Sequence, residues 1–265
     1  MIDAEKLLSI AKEAAFEAGE IQLVYFGKQK EITYKTNEFD LVTNVDKMVE
    51  DKVLSIIKGY FPEHEMLGEE SGAHGDVASD YLWIIDPIDG TTNYAHNFPH
   101  FAISIGLLYQ GNIFLGVVYD AFKNEIFWAG NGMGAYLNAE PIKVSAVRKL
   151  DNSLLSTGFP YERSEILEES LKYFNKFVFE SQAIRRTGSA ALDLCYVACG
   201  RLDGFWELNL APWDVTAGAC IIQEAGGKVT NFGTNKFDIC IKNIIASNKL
   251  LHQQIVDIIE LCKKT

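Results

Sequence analysis

The chain has 265 residues, 48% hydrophobic and 23% charged, a composition suited to a globular enzyme with a sizeable core. Its formal net charge of -12 argues against nucleic acid as a partner, since that interaction needs Lys and Arg to displace counterions from phosphates. No apolar run approaches the roughly 18 residues of a membrane span, and the N-terminal Ile2-Asp3-Ala4-Glu5-Lys6 lacks the basic start and apolar block of a signal peptide. No membrane partner and a cytoplasmic location are therefore expected.

In chain order, apolar positions at Leu7, Ile10, Ala11, Ala14, Ala15, Ala18 and Ile21 predict a helix over 3–26, with Gly27 as its C-terminal stop. A polar connection over 27–40 contains a strand-like Ile32-Thr33-Tyr34. A second helix is predicted over 44–58, capped by Thr43 or Asn44. A short strand between Pro62 and Gly68 follows, then β-favouring runs at 82–86, 101–109, 113–119 and 125–129. Gly130, Gly132 and Gly134 lead into Ala135-Tyr136-Leu137 rather than a helix, so they read as hairpin turns and not as a nucleotide loop.

Past Pro141 the pattern alternates. Strands are predicted near 153–157, 183–186, 203–208, 228–231 and 243–247. Helices are predicted near 164–180, 189–199 and 214–225, with a last one from about Asn248. Such alternation predicts a layered α/β sandwich whose halves meet near residue 145 and pack as one unit. The five cysteines are odd in number, and Cys195 and Cys199, four apart, have no histidine or Cys-x-x-Cys partner; they read as buried free thiols.

Chemistry concentrates where apolar runs end abruptly in acids. Trp83-Ile84-Ile85 delivers Asp86-Pro87-Ile88-Asp89 into Gly90-Thr91-Thr92. Pro87 fixes the backbone between the two aspartates, so one turn can aim both carboxylates and the Ile88 carbonyl at a point. The same residues also favour an ordinary β-turn. Gly90 allows a phosphate to approach the backbone, and successive N–H groups at a helix start form an anion site; either threonine can equally serve as a plain helix cap. Upstream stands Gly68-Glu69-Glu70-Ser71, where paired glutamates also suit a solvated surface. Downstream, Asp214 follows Trp213 at a helix start, where an aspartate is also a good N-cap. At about 4 Å, like charges repel by roughly 4 kcal/mol at an effective dielectric near 20, so such acids need divalent cations to stay ionised together. Hard cations take oxygen ligands, and two of them suit in-line phosphoryl displacement.

Gly68-Glu69-Glu70-Ser71, Asp86-Pro87-Ile88-Asp89-Gly90-Thr91-Thr92-Asn93 and Trp213-Asp214, in this order and spacing, resemble the signature of the inositol monophosphatase family. Support runs from Asp40-Leu41-Val42-Thr43 to Gly226-Gly227, so the resemblance covers essentially the whole chain. Thr216 departs from it, standing where the family usually has a small apolar residue. The resemblance implies a five-layered αβαβα sandwich, shared with fructose-1,6-bisphosphatase, as a single catalytic domain over 1–265. One lobe, about 1–145, carries metal and phosphate groups; the other, about 146–265, supplies Glu207 and Asp214. It further implies a homodimer, lithium sensitivity and two to three Mg2+ ions.

Carried over residue by residue, the resemblance puts the first metal on Glu69, Asp86 and the Ile88 carbonyl, and the second on Asp86, Asp89 and Asp214. A weaker third ion would lie near Glu69. Glu70 and Thr91 would orient the metal-activated water for in-line attack, with Asp46 polarising the Thr91 hydroxyl. Gly90, Thr91 and Thr92 would bind phosphate, while Asp89, Glu207 and Asp214 would face the substrate. Glu207 can also be a surface residue closing the Phe205-Trp206 strand. Lys35 and the Arg185-Arg186-Thr187-Gly188-Ser189 segment can reach the substrate or serve structure alone, and no histidine is expected in the chemistry.

The expected substrate is inositol monophosphate or a related small polyol or sugar phosphate. The 2′-phosphate of NADP, fructose 1,6-bisphosphate and 3′-phosphoadenosine phosphate are alternatives, and a short 27–40 loop would leave room for the larger ones. A phospho-aspartate phosphatase of the haloacid dehalogenase type wants Asp-x-Asp, one residue closer than Asp86 and Asp89. A non-catalytic phosphate- or polyol-binding protein is the alternative from another class.

Overall fold

The computed structural model describes residues 3–34, 41–161 and 164–263. Helix α1 (Ala4–Tyr25) starts at Asp3, whose side chain accepts the Lys6 N–H at 3.0 Å. Strands β1 (Ile32–Tyr34) and β2 (Leu41–Thr43) form an antiparallel pair. Helix α2 (Asn44–Tyr60) opens with a capping box: Thr43 is the N-cap and Asp46 reaches back to the Thr43 N–H. Such a cap contributes about 1 kcal/mol.

A run of strands follows: β3 (Glu65–Gly68), β4 (Gly72–His74), β5 (Tyr81–Asp89) and, after the short helix α3 (Thr91–Ala95), β6 (Ala102–Tyr109), β7 (Asn112–Asp120), β8 (Glu125–Gly130), β9 (Gly134–Leu137) and β10 (Glu140–Pro141). They form one eight-stranded sheet in the order β10-β9-β8-β7-β6-β5-β3-β4. The second half runs β11 (Leu154–Thr157), α4 (Glu165–Glu180), β12 (Ala183–Arg185), α5 (Ala190–Ala198), β13 (Gly204–Leu208), α6 (Pro212–Glu224), β14 (Lys228–Thr230), β15 (Asn243–Ser247) and α7 (His252–Lys263). Its strands make a five-stranded sheet, β12-β11-β13-β15-β14.

Three apolar clusters stack these elements into layers. Leu7, Ala11 and Ala15 of α1 and Val49 and Val53 of α2 meet Ile85, Ile105 and Val117 on one face of the large sheet. On its other face, Val118, Phe127 and Ala129 meet Leu194 of α5 and Ala217 and Ile221 of α6, which continue to Phe205, Ile244 and Ala246 of the small sheet. Beyond that sheet, Tyr173 and Phe177 of α4 and Ile255 and Ile259 of α7 close over Leu155 and Trp206. The result is the expected αβαβα sandwich.

Helix α6 lies unusually close to the large sheet. Gly106 and Gly116 are cross-strand neighbours, and a Cβ at Gly106 would lie 2.5 Å from Thr216 Cγ2, while one at Gly116 would lie 2.4 Å from the Ala217 carbonyl oxygen. Thr216, fully buried, donates its hydroxyl to the Pro212 carbonyl at 2.6 Å.

Two helix starts differ from the sequence expectation. Helix α6 begins with Pro212 at its first turn, so Asp214 is the third helical residue and not the N-cap. Helix α7 begins at His252 because Lys249 takes a left-handed φ of 69° and Asn248 is tied elsewhere, donating to Ser145 Oγ and the Val147 carbonyl at 2.9 and 2.8 Å. The Gly130–Gly134 segment is a hairpin turn as expected, and the Gly132 and Gly134 N–H groups are taken up by the Glu224 carboxylate at 3.0 and 2.9 Å.

Candidate active site

The site forms where β5 leaves the sheet. Residues 82–85 are buried β-favouring side chains paired on both sides, parallel to β3 and antiparallel to β6. Asp86 pairs with Ser104 and Asp89 with Ala102, so β5 carries one residue more than β6 over this span. That extra residue is a bulge, and a bulge re-aims side chains. Pro87 has no N–H to lose from the ladder, and its carbonyl accepts from Gln22 Nε2 of α1 at 2.8 Å. The Ile88 N–H returns to Asp86 Oδ1 at 2.9 Å. Both carboxylates are almost fully buried, Asp86 at 2% and Asp89 at 7% exposure.

Asp214 reaches the same place from α6. Its carboxylate turns back to accept the Ala211 N–H at 2.6 Å, as a third-position acid does in a capping arrangement. Carboxylate oxygens of Asp86, Asp89 and Asp214 lie within 4.8 Å of one another. The charges pressing on Asp86 are Glu69, Asp89 and Asp214, all acids; together with the larger effect of burial they push its carboxyl well above the usual range. Burial also raises Asp89, to about 6, and the rise is restrained by donors at the start of α5. Those donors are the Ser189 hydroxyl and the Ala190 and Ala191 N–H groups, the last two at 3.2 and 2.8 Å.

Gly90 and Thr91 carry the chain from the bulge into α3. Gly90 has φ +99°, and a Cβ there would lie 3.0 Å from the Gly188 carbonyl oxygen and 3.1 Å from that of His100, so only glycine fits. Thr91 is the first residue of α3 and makes no side-chain cap; its hydroxyl sits 2.9 Å from the Ile88 carbonyl and 3.2 Å from Asp46 Oδ1. Asp46, fully buried, is also held by the Thr43 N–H at 2.9 Å and hydroxyl at 2.6 Å. Glu69 continues from β3, its N–H donating to the Ile85 carbonyl at 3.1 Å.

On the opposite wall, Glu207 on β13 lines the same cleft as Asp89 and Asp214, joined by Asp193, Tyr161 and Arg186. Burial lifts Glu207 well above the carboxylate range, and Asp214 and Asp193 add to the rise while Arg186 opposes it. Asp193, 2% exposed, accepts the Thr187 hydroxyl at 2.9 Å.

Of the expected residues, Asp89, Gly90, Glu207 and Asp214 line one cleft, and Asp86 converges with Asp89 and Asp214, with Glu69 beside it. Thr91 lies between Ile88 and Asp46, Thr92 bonds Tyr161, and the Glu70 N–H is held by Glu50 at 2.9 Å. Lys35 and Asp40 lie outside the described residues, and so does part of the 27–40 loop. Trp213 packs on Leu82, Ile84 and Leu108, and its carbonyl accepts from Ser104 Oγ at 3.0 Å. His100 is buried, which lowers its pKa to about 4, and His96 is exposed. All five cysteines are free, Cys195 and Cys220 buried and Cys240 exposed. Sequence reading misses Asp193 and Tyr161, and it misses the donors at Ala190 and Ala191, which lie about a hundred residues from Asp89 and carry no local signal.

Residues 3–264 match the model of the inositol monophosphatase family. A relative from Synechocystis sp. named inositol-1-monophosphatase is 45% identical over 253 residues, 96% of this chain and 88% of that protein. The solved inositol monophosphatase from Anabaena (Nostoc) sp. matches with a TM-score of 0.90 at 43% identity, covering 98% of this chain and 97% of that one. A solved IMPase/NADP phosphatase complexed with Mg2+ and phosphate matches with a TM-score of 0.84 at 26% identity, over 97% and 96% of the two chains. Five layers, a bulged acid turn and a converging third aspartate therefore lead to one conclusion: the chain belongs to the inositol monophosphatase family of phosphatases.

Proposed function

We propose that this phosphatase hydrolyses inositol monophosphate or a related small polyol or sugar phosphate with magnesium. The convergence of Asp86, Asp89 and Asp214 within 4.8 Å carries the reading. Three hard oxygen donors so close, two of them buried, fit a divalent cation. Glu69, Asp86 and the Ile88 carbonyl would hold one ion, Asp86, Asp89 and Asp214 a second, and the neighbourhood of Glu69 a third. Magnesium, when bound, supplies the positive charge that keeps these acids ionised beside a phosphate dianion and makes water easier to deprotonate.

The chain's own groups then do the following work. Gly90, Thr91 and Thr92 receive the phosphate oxygens. Glu70 and Thr91 orient the attacking water in line with the leaving oxygen, and Glu70 accepts its proton. Asp46 fixes the Thr91 hydroxyl, consistent with their 3.2 Å contact. Glu207, with Asp89 and Asp214 beside it, accepts hydrogen bonds from the polyol hydroxyls. The partial burial of Glu207 and the nearly complete burial of Asp193 favour a leaving group rich in hydroxyls, which satisfies carboxylates without adding negative charge.

A second reading, broader specificity reaching the 2′-phosphate of NADP, fructose 1,6-bisphosphate or 3′-phosphoadenosine phosphate, is favoured by Arg186 in the cleft wall. A homodimer, lithium sensitivity and a cytoplasmic location rest on the family resemblance; no helix among the described residues is long and apolar enough to cross a membrane. One catalytic unit over 1–265 is supported by the α5–α6 layer packed on both sheets.

Phosphate release from inositol 1-phosphate, fructose 1,6-bisphosphate, NADP and phosphoadenosine phosphate, each with magnesium and with EDTA, tests the reading. Inositol 1-phosphate should lead and EDTA should abolish release. No release from any of the four would favour a phosphate- or polyol-binding protein instead.

A further inference from the structure

Helix α2 carries two acids one turn apart, Asp46 and Glu50, exposed by 0% and 1%. Four residues along a helix span about 6 Å. Asp46 faces Thr91. Glu50 faces the other group proposed to orient water: its Oε2 accepts the Glu70 N–H at 2.9 Å and its Oε1 the Ser71 N–H at 2.8 Å.

These two N–H groups lie just past β3. Glu69 still pairs with β5 through the Ile85 carbonyl, and at the next two residues the Glu50 carboxylate takes the place of a strand. A carboxylate bridging adjacent backbone donors makes charge-assisted bonds, stronger than neutral ones, and fixes direction as well as distance. Space for it is reserved as well. A Cβ at Gly68 would lie 2.5 Å from the Glu50 carboxyl carbon, so any other residue there would displace it.

We infer that Glu50 is a positioning residue of the reaction: it holds the Glu69-Glu70-Ser71 turn so that Glu70 faces Thr91 at the separation set by one turn of α2. The proposal rests on the water-orienting role of Glu70 given above. A buried acid that only stabilised the fold would not need to act through Glu70.

The test is a kinetic cycle of Glu50→Gln, Glu70→Gln and the double variant, with inositol 1-phosphate and saturating magnesium, alongside hydrogen exchange of the Glu70 and Ser71 amides. An amide at residue 50 can accept from only one of the two N–H groups. In E50Q, kcat should fall by roughly 10- to 100-fold, the scale of a catalytic group misplaced by about 1 Å, with KM within about twofold. Both amides should exchange faster, and E50Q should cost nothing further in the E70Q background. If E50Q does not fold, Glu50→Asp, which keeps the charge and withdraws it by one methylene, enters the same cycle with a smaller loss expected. Native kcat in the folded Glu50 variant beside an impaired E70Q, or losses that multiply in the double variant, would overturn the proposal for Glu50 alone. Native kcat in E70Q would overturn the role of Glu70 and the proposal with it.

Discussion

The two walls of the cleft both bury acids but meet their surroundings differently. On the β5 side, Asp86 is pressed by Glu69, Asp89 and Asp214, while Asp89 receives three donors from the start of α5. On the β13 side, Glu207 and Asp193 have Arg186 opposing their rise, and Asp193 accepts from Thr187. The first arrangement asks for a divalent cation; the second can be satisfied by hydroxyl groups. One wall should therefore serve every phosphate ester, and the other should read what the phosphate is attached to.

Asp89→Asn is the strongest way to break that division. Removing one charge from the cluster should lower turnover by roughly a thousandfold, the loss seen when one strong electrostatic contact to a transition state is removed. The fold should persist because the side-chain carbonyl oxygen that the variant keeps can still accept from Ser189 and the Ala191 N–H, with only the Ala190 N–H losing its acceptor. Phosphate-release kinetics beside a melting curve would check this, and near-native turnover would end the two-metal assignment. Glu207→Gln probes the other wall. It should raise KM for inositol 1-phosphate about tenfold, as one hydrogen bond to a charged group is worth about 1.5 kcal/mol or more. An aryl phosphate without hydroxyls should be hydrolysed almost as before; an equal loss on both substrates would erase the distinction between the walls.

The smallest expected effect is thermodynamic. Burial raises the carboxyl of Asp89 from 3.8 to about 6, so the folded state holds more protons than the unfolded one between those values. Its contribution to stability is complete below 3.8 and is lost as pH rises through about 6. Magnesium competes with those protons, so its addition should raise the melting temperature by several degrees at about pH 7.5 and by much less near pH 5. Thermal melts with magnesium and with EDTA at the two pH values measure this. Equal shifts would separate metal binding from the ionisation of the cluster.

Much of this was legible because its causes are local. A β-favouring run broken by Asp-Pro-Ile-Asp-Gly announces a bulge and turn. Helical spacing places α1, α2 and α5, with a glycine stop after α1 and a threonine cap before α2. The position of Asp214 was less so: the capping preference of an aspartate is real, but Pro212 fits the first turn better and moves the helix start two residues upstream. The support around the acids was hidden altogether. Glu50 reads as a polar residue on an amphipathic helix, and Asp193 looks the same on α5. Only the stacking of distant segments puts one beneath the Glu69-Glu70 turn and the other in the cleft wall.

The glycine seam under α6 extends this dependence on distant packing. Gly106 faces Ile84, two residues before Asp86, and the helix turn resting on the seam begins two residues after Asp214. The gap between clustered acids from different halves of the chain is thus gauged by a contact that holds no functional group. A single methyl at Gly106 or Gly116 would lift the helix and spread the acids while leaving each of them in the sequence. Inactive copies of such a protein can therefore arise with every recognisable acid intact, and an inventory of ligands would count them as enzymes.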